Sequence, residues 1–325
     1  MNFKQMYAVI LSLFVLVGVV PIASYAGPSS PEKLESLKIS YLASSMYRDL
    51  FIAKEEGFYK ANGIDAKLVE IRPAAERMAS LTSGRVDVTA TYTGSAISAV
   101  AAGAKIKLVV AASRPSEGHG DGFLAVRRGS PYNSIEDLEG KIIAVTVRGS
   151  SLWLAPIEEF DKRGIKADIR PMDDFTSALL AGAVDASVTF SRELTKFKSK
   201  IRPILTIEAW RTHNAACGYF VLTELWESKP ALIRNFVQAL KQVRQFIKEH
   251  PEQAVKHTLK YTKVPEKEWS KEQDMLFDDD PVIHMWALRH VQQLYLKDGL
   301  LRQPADLNKM VIVAPFVRIL EERPE

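Results

Sequence analysis

One segment of this chain occurs twice, and this repeat constrains the fold more than any other feature. Residues 81–93 (LTSGRVDVTATYT) align with residues 179–191 (LLAGAVDASVTFS), with a glycine, a Val-Asp pair and a Thr-aromatic pair in register. Two shorter matches precede it in the same order: residues 59–64 with 160–165, and residues 44–47 with 150–153. We therefore predict two lobes of similar topology.

Strand and helix patterns alternate through both copies. The first copy predicts strands over Leu37–Ala43, Ile64–Ile71, Val86–Tyr92 and Ile106–Ala112, and helices over Asp49–Lys60, Pro73–Ser83 and Gly94–Ala102. The second copy predicts strands over Lys141–Thr146, Lys166–Arg170 and Val184–Thr189, and helices over Ser134–Leu138, Leu152–Arg163 and Asp174–Ala181, the last two ended by Gly164 and Gly182. This order predicts an α/β fold with mostly parallel sheets covered by helices. Two amphipathic helices, Ala231–Lys248 and Val282–Lys297, are predicted to pack outside a lobe.

The N-terminus has the pattern of a secretory signal peptide. Lys4 precedes an apolar run over residues 7–20, and Ser24 and Ala26 place small residues at the −3 and −1 positions of a cleavage site. We predict a signal peptide over residues 1–26, cleaved after Ala26, and a flexible tether over residues 27–36. The alternative is a membrane anchor, but the run is shorter than the roughly 20 residues that span a bilayer. The mature protein is therefore expected to be exported and periplasmic.

Charge and cysteine content exclude several classes of protein. The chain of 325 residues has 43 Lys and Arg against 39 Asp and Glu, and this small, dispersed excess does not predict a nucleic-acid partner. Cys217 is the single cysteine, so an intramolecular disulfide and a four-cysteine zinc site are excluded. Neither a nucleophile elbow nor a phosphate-binding loop is present, and the histidines are scattered. We expect no catalytic residue, no cofactor and no metal site.

Polar and aromatic side chains follow four of the predicted strands, where open α/β sheets bind their ligands. Hydroxyls and free backbone N–H groups at helix starts, with an arginine nearby, suit an anionic head group such as sulfonate, carboxylate or nitrate. The alternative is that the small residues are helix caps and the aromatic rings belong to the core. The candidate ligand-binding residues are Ser44, Ser45, Tyr47, Arg48, Tyr92, Thr93, Gly94, Ser95, Arg148, Ser150, Ser151, Trp153, Phe190 and Arg192.

Six short motifs occur in a fixed order: residues 51–59 (FIAKEEGFY), 62–65 (NGID), 84–87 (GRVD), 93–95 (TGS), 134–141 (SIEDLEGK) and 180–185 (LAGAVD). With these motifs the chain resembles the periplasmic substrate-binding proteins of ABC importers, of the nitrate/sulfonate/taurine type, within the thiamine-pyrimidine-synthase-like superfamily. The resemblance implies a type II periplasmic-binding-protein fold. Its two crossover segments are expected near Asp121–Arg127 and Ala215–Leu222. Lobe one would comprise residues 37–124 and 219–325, and lobe two residues 125–218.

The resemblance also implies a function without catalysis. A small-molecule ligand would bind between the lobes, the lobes would close on a hinge, and the closed protein, a monomer, would deliver the ligand to ABC permease subunits in the membrane. Two alternatives remain: a ligand-sensing input for another membrane partner, and an exported enzyme on the same fold.

The charge and the aromatic rings of the candidate residues favour some classes of ligand over others. Arg48, Arg148 and Arg192 favour an anion. The four aromatic rings of the candidate set favour a body larger than nitrate. Organic sulfonates and carboxylates therefore come first, a thiamine-type pyrimidine second, and nitrate or bicarbonate last.

Overall fold

Two five-stranded sheets form the framework of the protein. The computed structural model describes residues 34–214, 217–269 and 275–323. The predicted signal peptide and residues 27–33 of the predicted tether lie outside the described residues. Residues 35 and 36 of that tether belong to the first strand, because Glu35 already pairs with Ile64.

The strands of the first sheet are β1 (Glu35–Tyr41), β2 (Ile64–Glu70), β3 (Val88–Thr91), β4 (Ile106–Ala111) and β10 (Gly218–Leu222). Those of the second sheet are β5 (Gly122–Arg127), β6 (Ile142–Val145), β7 (Asp168–Pro171), β8 (Ala186–Phe190) and β9 (Ile201–Thr206). The spatial orders are β2-β1-β3-β10-β4 and β7-β6-β8-β5-β9. The second order repeats the first position by position, so the predicted pair of similar lobes is confirmed.

Both sheets are mixed, and the prediction of mostly parallel sheets is confirmed, because four of the five strands in each sheet run in the same direction. Strand β1 runs parallel to β2 and β3, whereas β10 runs antiparallel to β3 and β4. In the second sheet β6 is parallel to β7 and β8, and β5 is antiparallel to β8 and β9. Strands β5 and β10 occupy most of the segments near which we expected the crossovers, and each is the first strand formed after the chain changes sheets. The lobe boundaries predicted after residues 124 and 218 therefore fall inside strands.

Helices cover the sheets. They are α1 (Arg48–Glu55), α2 (Phe58–Ala61), α3 (Ala74–Thr82), α4 (Thr93–Ala101), α5 (Ser151–Arg163), α6 (Phe175–Ala181), α7 (Ser191–Lys196), α8 (Glu208–Asn214), α9 (Thr223–Ser228), α10 (Pro230–Glu249), α11 (Pro251–Thr262), α12 (Met285–Lys297) and α13 (Leu307–Met310). Gly164 and Gly182 end α5 and α6 in the left-handed conformation, as predicted. No helix in the described part of the chain is long and apolar enough to cross a membrane.

Three predicted helices differ from the structure. The predicted helix Ser134–Leu138 is only a short 3-10 turn, Glu136–Leu138. The segment Asp49–Lys60 is divided into α1 and α2 because Gly57 between them has a φ of 77°. The first residues of Val282–Lys297 form strand β11 (Val282–His284), which pairs in parallel with β12 (Arg318–Leu320). A helical hydrophobic pattern does not reveal such a partner, which lies more than thirty residues away.

The helices after β10 pack on the core of the first sheet. The apolar stripe predicted on α10 is buried, and it comprises Ile233, Phe236, Val237, Leu240, Val243 and Ile247. These side chains share one cluster with apolar residues of β1, β3, β4 and β10. A second cluster joins residues of β5, β6 and β8 to α5 and α8.

A buried ion pair ties α10 to the first sheet. The guanidinium of Arg244 lies 3.1 Å from the carboxylate of Asp49, and both side chains are almost wholly buried. Arg244 also donates to the carbonyl oxygen of Ala111 at 2.7 Å, and the hydroxyl of Tyr219 donates to Asp49. Four elements, α1, β4, β10 and α10, therefore meet at one charged pair.

Replacing Arg244 with methionine should destabilise the protein strongly, because it leaves the Asp49 carboxylate buried without its charged partner. We expect the free energy of unfolding to fall by about 3–5 kcal/mol in urea denaturation. Lys241→Met is the matched control, since Lys241 lies on the same helix and forms an exposed pair with Asp280, so its loss should cost at most about 1 kcal/mol. Equal losses in the two variants would contradict a structural role for the buried pair.

Candidate ligand-binding cleft

In each sheet the strand order brings two candidate loops together. They are the loops after β1 and β3 in the first sheet and the loops after β6 and β8 in the second. In each sheet two parallel neighbours, β1 with β3 and β6 with β8, end at the same edge. Ligands of α/β sheets bind at such edges. The structure divides the candidate residues among three places: a cavity, the protein interior behind it, and the contact of α12 with two of the loops.

A cavity of about 510 Å³ lies between the loop after β1 and the loop after β8. Four of the candidate residues line it: Ser44, Ser45, Phe190 and Arg192. The other lining residues are Leu42, Ala43, Met46, Glu70, Arg72, Gly120, Asp121, Ser191, Glu193, Trp210, Thr262, Val264, Trp269 and Met275. The cavity thus takes residues from the loops of both sheets.

Charged groups of both signs face this cavity. Arg192 lies 3.2 Å from the carboxylate of Glu268, while its Nε is buried with no hydrogen-bond partner among the described residues. The Oε2 atom of Glu193 is likewise buried and without a partner in the described part of the chain. A ligand in the cavity can therefore accept a hydrogen bond from the guanidinium and donate one to the carboxylate.

Aromatic rings form one wall of the cavity. The rings of Phe190 and Trp210 lie 5.5 Å apart at 59°, and the Trp210 indole donates to the carbonyl oxygen of Gly120 at 2.9 Å. A Cβ atom at Gly122 would lie 3.2 Å from the Trp210 ring, so any larger residue at this position would crowd the ring. This wall suits an apolar or aromatic ligand body.

Tyr47 and Arg48 lie behind the cavity and do not line it. Tyr47 is buried against the ring of Tyr219, with centroids 6.2 Å apart, and burial raises its pKa well above the usual value. Arg48 is 4 % exposed and donates to the carbonyl oxygen of Met275 at 3.5 Å. In this arrangement both side chains support the loop from within.

The loop after β3 is covered by helix α12. Thr93 is fully buried, and Ser95 donates to the carbonyl oxygen of Tyr92 at 2.8 Å. A Cβ atom at Gly94 would collide with the hydroxyl of Tyr295, which lies on α12, so only glycine fits here. Burial raises the pKa of Tyr92 well above its usual range, so its hydroxyl stays protonated.

The loop after β6 contacts the same helix. The Tyr295 hydroxyl donates to the carbonyl oxygen of Gly149, and Arg148 donates to the carbonyl oxygen of Asp298 at 2.8 Å. Ser150 caps α5 by accepting the backbone N–H of Trp153 at 3.1 Å. Ser151, the first residue of α5, is buried, and Trp153 packs against the core clusters of both lobes.

Several polar atoms of these loops have no hydrogen-bond partner among the described residues. They are the hydroxyls of Tyr92, Thr93 and Thr189 and the indole nitrogen of Trp153, all buried. A buried polar group left unpaired costs about 1–3 kcal/mol, so such groups usually bind a ligand or ordered water. These buried polar atoms at the strand ends are therefore able to form hydrogen bonds with a ligand.

Sequence reasoning missed several cavity residues. Trp210, Trp269 and Met275 come from segments after β9 and α11 that carry no strand-end signal, and only the tertiary fold brings them to the cavity. Glu193 directly follows the candidate Arg192. A carboxylate is not among the hydroxyl, arginine and aromatic side chains by which the sequence predicts ligand-binding residues. Asp121 lies in a glycine-rich stretch, Glu117–Gly122, which is typical of a loop or hinge.

Two features outside the cavity are relevant to catalysis or metal binding: the single cysteine and one cluster of acidic and histidine side chains. Burial raises the pKa of Cys217 to about 12, so its thiol stays protonated at neutral pH and is a poor nucleophile. Among the described residues one cluster could hold a metal ion, Glu158 with His213 and His290. None of these three residues lines the cavity.

Solved structures with the same fold include two sulfonate-binding proteins. The putative periplasmic sulfonate-binding protein SsuA from Methylobacillus flagellatus KT matches with a TM-score of 0.72 and 18 % identity, over 86 % of this chain and 92 % of that protein. The alkanesulfonate-binding protein SsuA from Xanthomonas axonopodis pv. citri, bound to MOPS, matches with a TM-score of 0.67 and 18 % identity, over 88 % of this chain and 100 % of that protein.

An enzyme has the fold as well. The desulfurization enzyme DSZB matches with a TM-score of 0.60 and 15 % identity, over 85 % of this chain and 95 % of that protein. At these identities the likeness shows the fold, which is that of the periplasmic binding proteins. Comparison with curated protein sequences gave no match.

One family model, described as NMT1/THI5 like, matches residues 46–254. This range is more than half of the chain, and it runs from the loop after β1 through both sheets to the C-terminal helices. The chain therefore belongs to the NMT1/THI5-like family.

Proposed function

We propose that this protein captures a small organic anion between its two lobes, outside the cytoplasm, and delivers it to the permease subunits of an ABC importer. The observation that carries the proposal is the cavity built from the loops of both sheets, with Arg192 and two serines beside an aromatic wall. Membership of the family and the fold shared with sulfonate-binding proteins support the same function.

The cavity favours an organic sulfonate or carboxylate. Its volume of about 510 Å³ far exceeds that of nitrate or bicarbonate, so such an ion would leave the aromatic wall uncovered. A guanidinium makes strong, charge-assisted hydrogen bonds to sulfonate and carboxylate oxygens. Arg192 and the hydroxyls of Ser44 and Ser45 would hold the head group, and Phe190 and Trp210 would pack on the body.

A second candidate, a pyrimidine with an exocyclic amine, rests on Glu193. The buried Oε2 atom of this residue has no donor among the described residues, and an amino group would supply one. A flat ring would also stack on Phe190 and Trp210. The two candidates differ in which charged side chain of the cavity binds the ligand.

Capture requires a hinge, and the two crossings between the sheets supply its position. Asp121, just before β5, accepts two hydrogen bonds from Arg211 of α8, at 2.7 and 3.0 Å. The chain crosses from the first sheet to the second before β5 and returns after α8. Rotation about these paired segments would open and close the cavity.

We also propose that the protein acts with an ABC permease and catalyses no reaction. The buried, protonated Cys217 supports binding rather than catalysis, although DSZB shows that the fold accommodates an enzyme. A sensor that reports to another membrane protein would use the same cavity. We propose transport as a monomer, and reconstitution with a permease would separate transport from sensing.

A thermal-shift screen of the secreted, tag-free protein tests the proposed function. The panel comprises alkanesulfonates, aromatic carboxylates, nitrate, bicarbonate and aminopyrimidines. A ligand at 100 times its Kd adds about 2.7 kcal/mol of stability and should raise Tm by several degrees, with sulfonates or carboxylates giving the largest rise. No rise with any compound, in protein refolded to remove bound ligand, would contradict the proposal.

Arg192→Ala should weaken binding of the best anion about ten- to a hundredfold in isothermal titration calorimetry. This range corresponds to the loss of a hydrogen bond to a charged group, worth about 1.5–3 kcal/mol. Arg170→Ala is the matched control, because Arg170 is an exposed arginine of the second sheet that pairs with Asp168, away from the cavity. Unchanged affinity in Arg192→Ala would remove Arg192 from the site.

Glu193→Gln distinguishes the two ligand classes. An anion should bind this variant at least as well as wild type, since a nearby negative charge is removed. An aminopyrimidine should bind at least about tenfold more weakly, since a charged acceptor is lost. Calorimetry with both compounds decides between them, and weaker binding of the anion would show that Glu193 does not oppose it.

A further inference from the structure

Three side chains from three helices meet at one point away from the cavity. Glu158 lies on α5, His213 on α8 and His290 on α12. The Nε2 atoms of His213 and His290 lie 2.7 and 2.9 Å from the same carboxylate oxygen, Oε2 of Glu158. One potential ligand atom from each residue lies within 4.8 Å of the other two.

The ligand set matches a borderline divalent metal. Two imidazoles and one carboxylate are a known three-residue set for zinc, which then keeps a further position open for water. The same ligands also suit neighbouring transition metals, whereas Mg²⁺ and Ca²⁺ prefer sets made of oxygen alone.

The surroundings hold these ligands in place. Lys162 lies 2.8 Å from Oε1 of Glu158, the other carboxylate oxygen, and so fixes the orientation of the group without occupying Oε2. His213 is fully buried, so the packing of α8 against α5 holds its imidazole in place. The side chain of His290 is 31 % exposed, so an ion can enter from solvent.

The cluster joins the two lobes. Glu158 and His213 lie on helices that pack with the second sheet, whereas α12 packs on the core of the first. Other contacts of α12 with the second lobe lie along the same face: Lys297 pairs with Asp161, and Arg148 pairs with Asp298. A metal ion bound here would link helices of both lobes.

We propose that Glu158, His213 and His290 form a site for a divalent transition-metal ion such as Zn²⁺, which clamps α12 of the first lobe onto α5 and α8 of the second. The cluster lies apart from the ligand cavity, so the proposal stands independently of the proposed function.

Calorimetric titration of the tag-free protein with Zn²⁺ tests the site. Wild type should bind one ion per chain. His290→Ala removes a partly exposed ligand and should weaken binding by at least about a hundredfold, beyond the 10–100-fold effects of residues that only support a ligand. Glu158→Gln keeps the side-chain shape and should weaken binding strongly as well. His257→Ala is the control, because His257 pairs with Glu56 outside the cluster, and its affinity should match wild type.

A second measurement tests the clamp. Hydrogen exchange of peptides from α12 and α5 should slow when Zn²⁺ is added to wild type, and should stay unchanged in His290→Ala. The proposal is overturned if wild type binds no Zn²⁺, or if His290→Ala and Glu158→Gln, both shown to be folded by circular dichroism, bind it as tightly as wild type. Zn²⁺ binding that leaves exchange in both helices unchanged would overturn the clamp.

Discussion

In each sheet one central strand is the strand that the chain forms directly after it changes sheets, and this arrangement governs the rest of the structure. Strand β5 follows β4 directly in the chain but lies between β8 and β9 in the second sheet, and β10 follows β9 but lies between β3 and β4 in the first. Central strands need partners on both sides for their backbone groups. The first sheet is therefore complete only after the chain has returned from the second lobe to form β10, and two crossings join the lobes.

The two changes of sheet also set the position of the proposed hinge. Strands β5 and β10 run antiparallel to their neighbours, whereas β1, β3, β6 and β8 carry the loops of the candidate site, of which those after β1 and β8 line the cavity. Arg211 of α8 forms an ion pair with Asp121, which lies just before β5. A bidentate pair of this kind fixes the start of β5 against α8, beside the proposed hinge.

Local patterns predicted much of this architecture and only part of the site. The alternation of strands and helices, the glycine ends of α5 and α6 and the buried stripe of α10 depend on neighbouring residues, which the sequence displays directly. The places of β5 and β10 depend on partners far along the chain, so local patterns do not predict these two strands, whereas the family resemblance predicts crossovers near both. Ser44 and Phe190 reach the cavity because strand ends determine their position. Trp210 and Trp269 reach it through packing of segments that carry no such signal.

Helix α8 connects the cavity, the hinge and the histidine cluster within one turn. Trp210 forms the cavity wall, Arg211 binds Asp121 at the crossing, and His213 meets Glu158. Successive residues of a helix point about 100° apart, so these three side chains leave α8 in three directions. The helix is short and packs on α5, where Glu159 accepts the backbone N–H of Ala209 at 2.8 Å. A shift of α8 during lobe closure would therefore move the aromatic wall, the hinge contact and the histidine together, and what binds at one of these places has a physical route to the others.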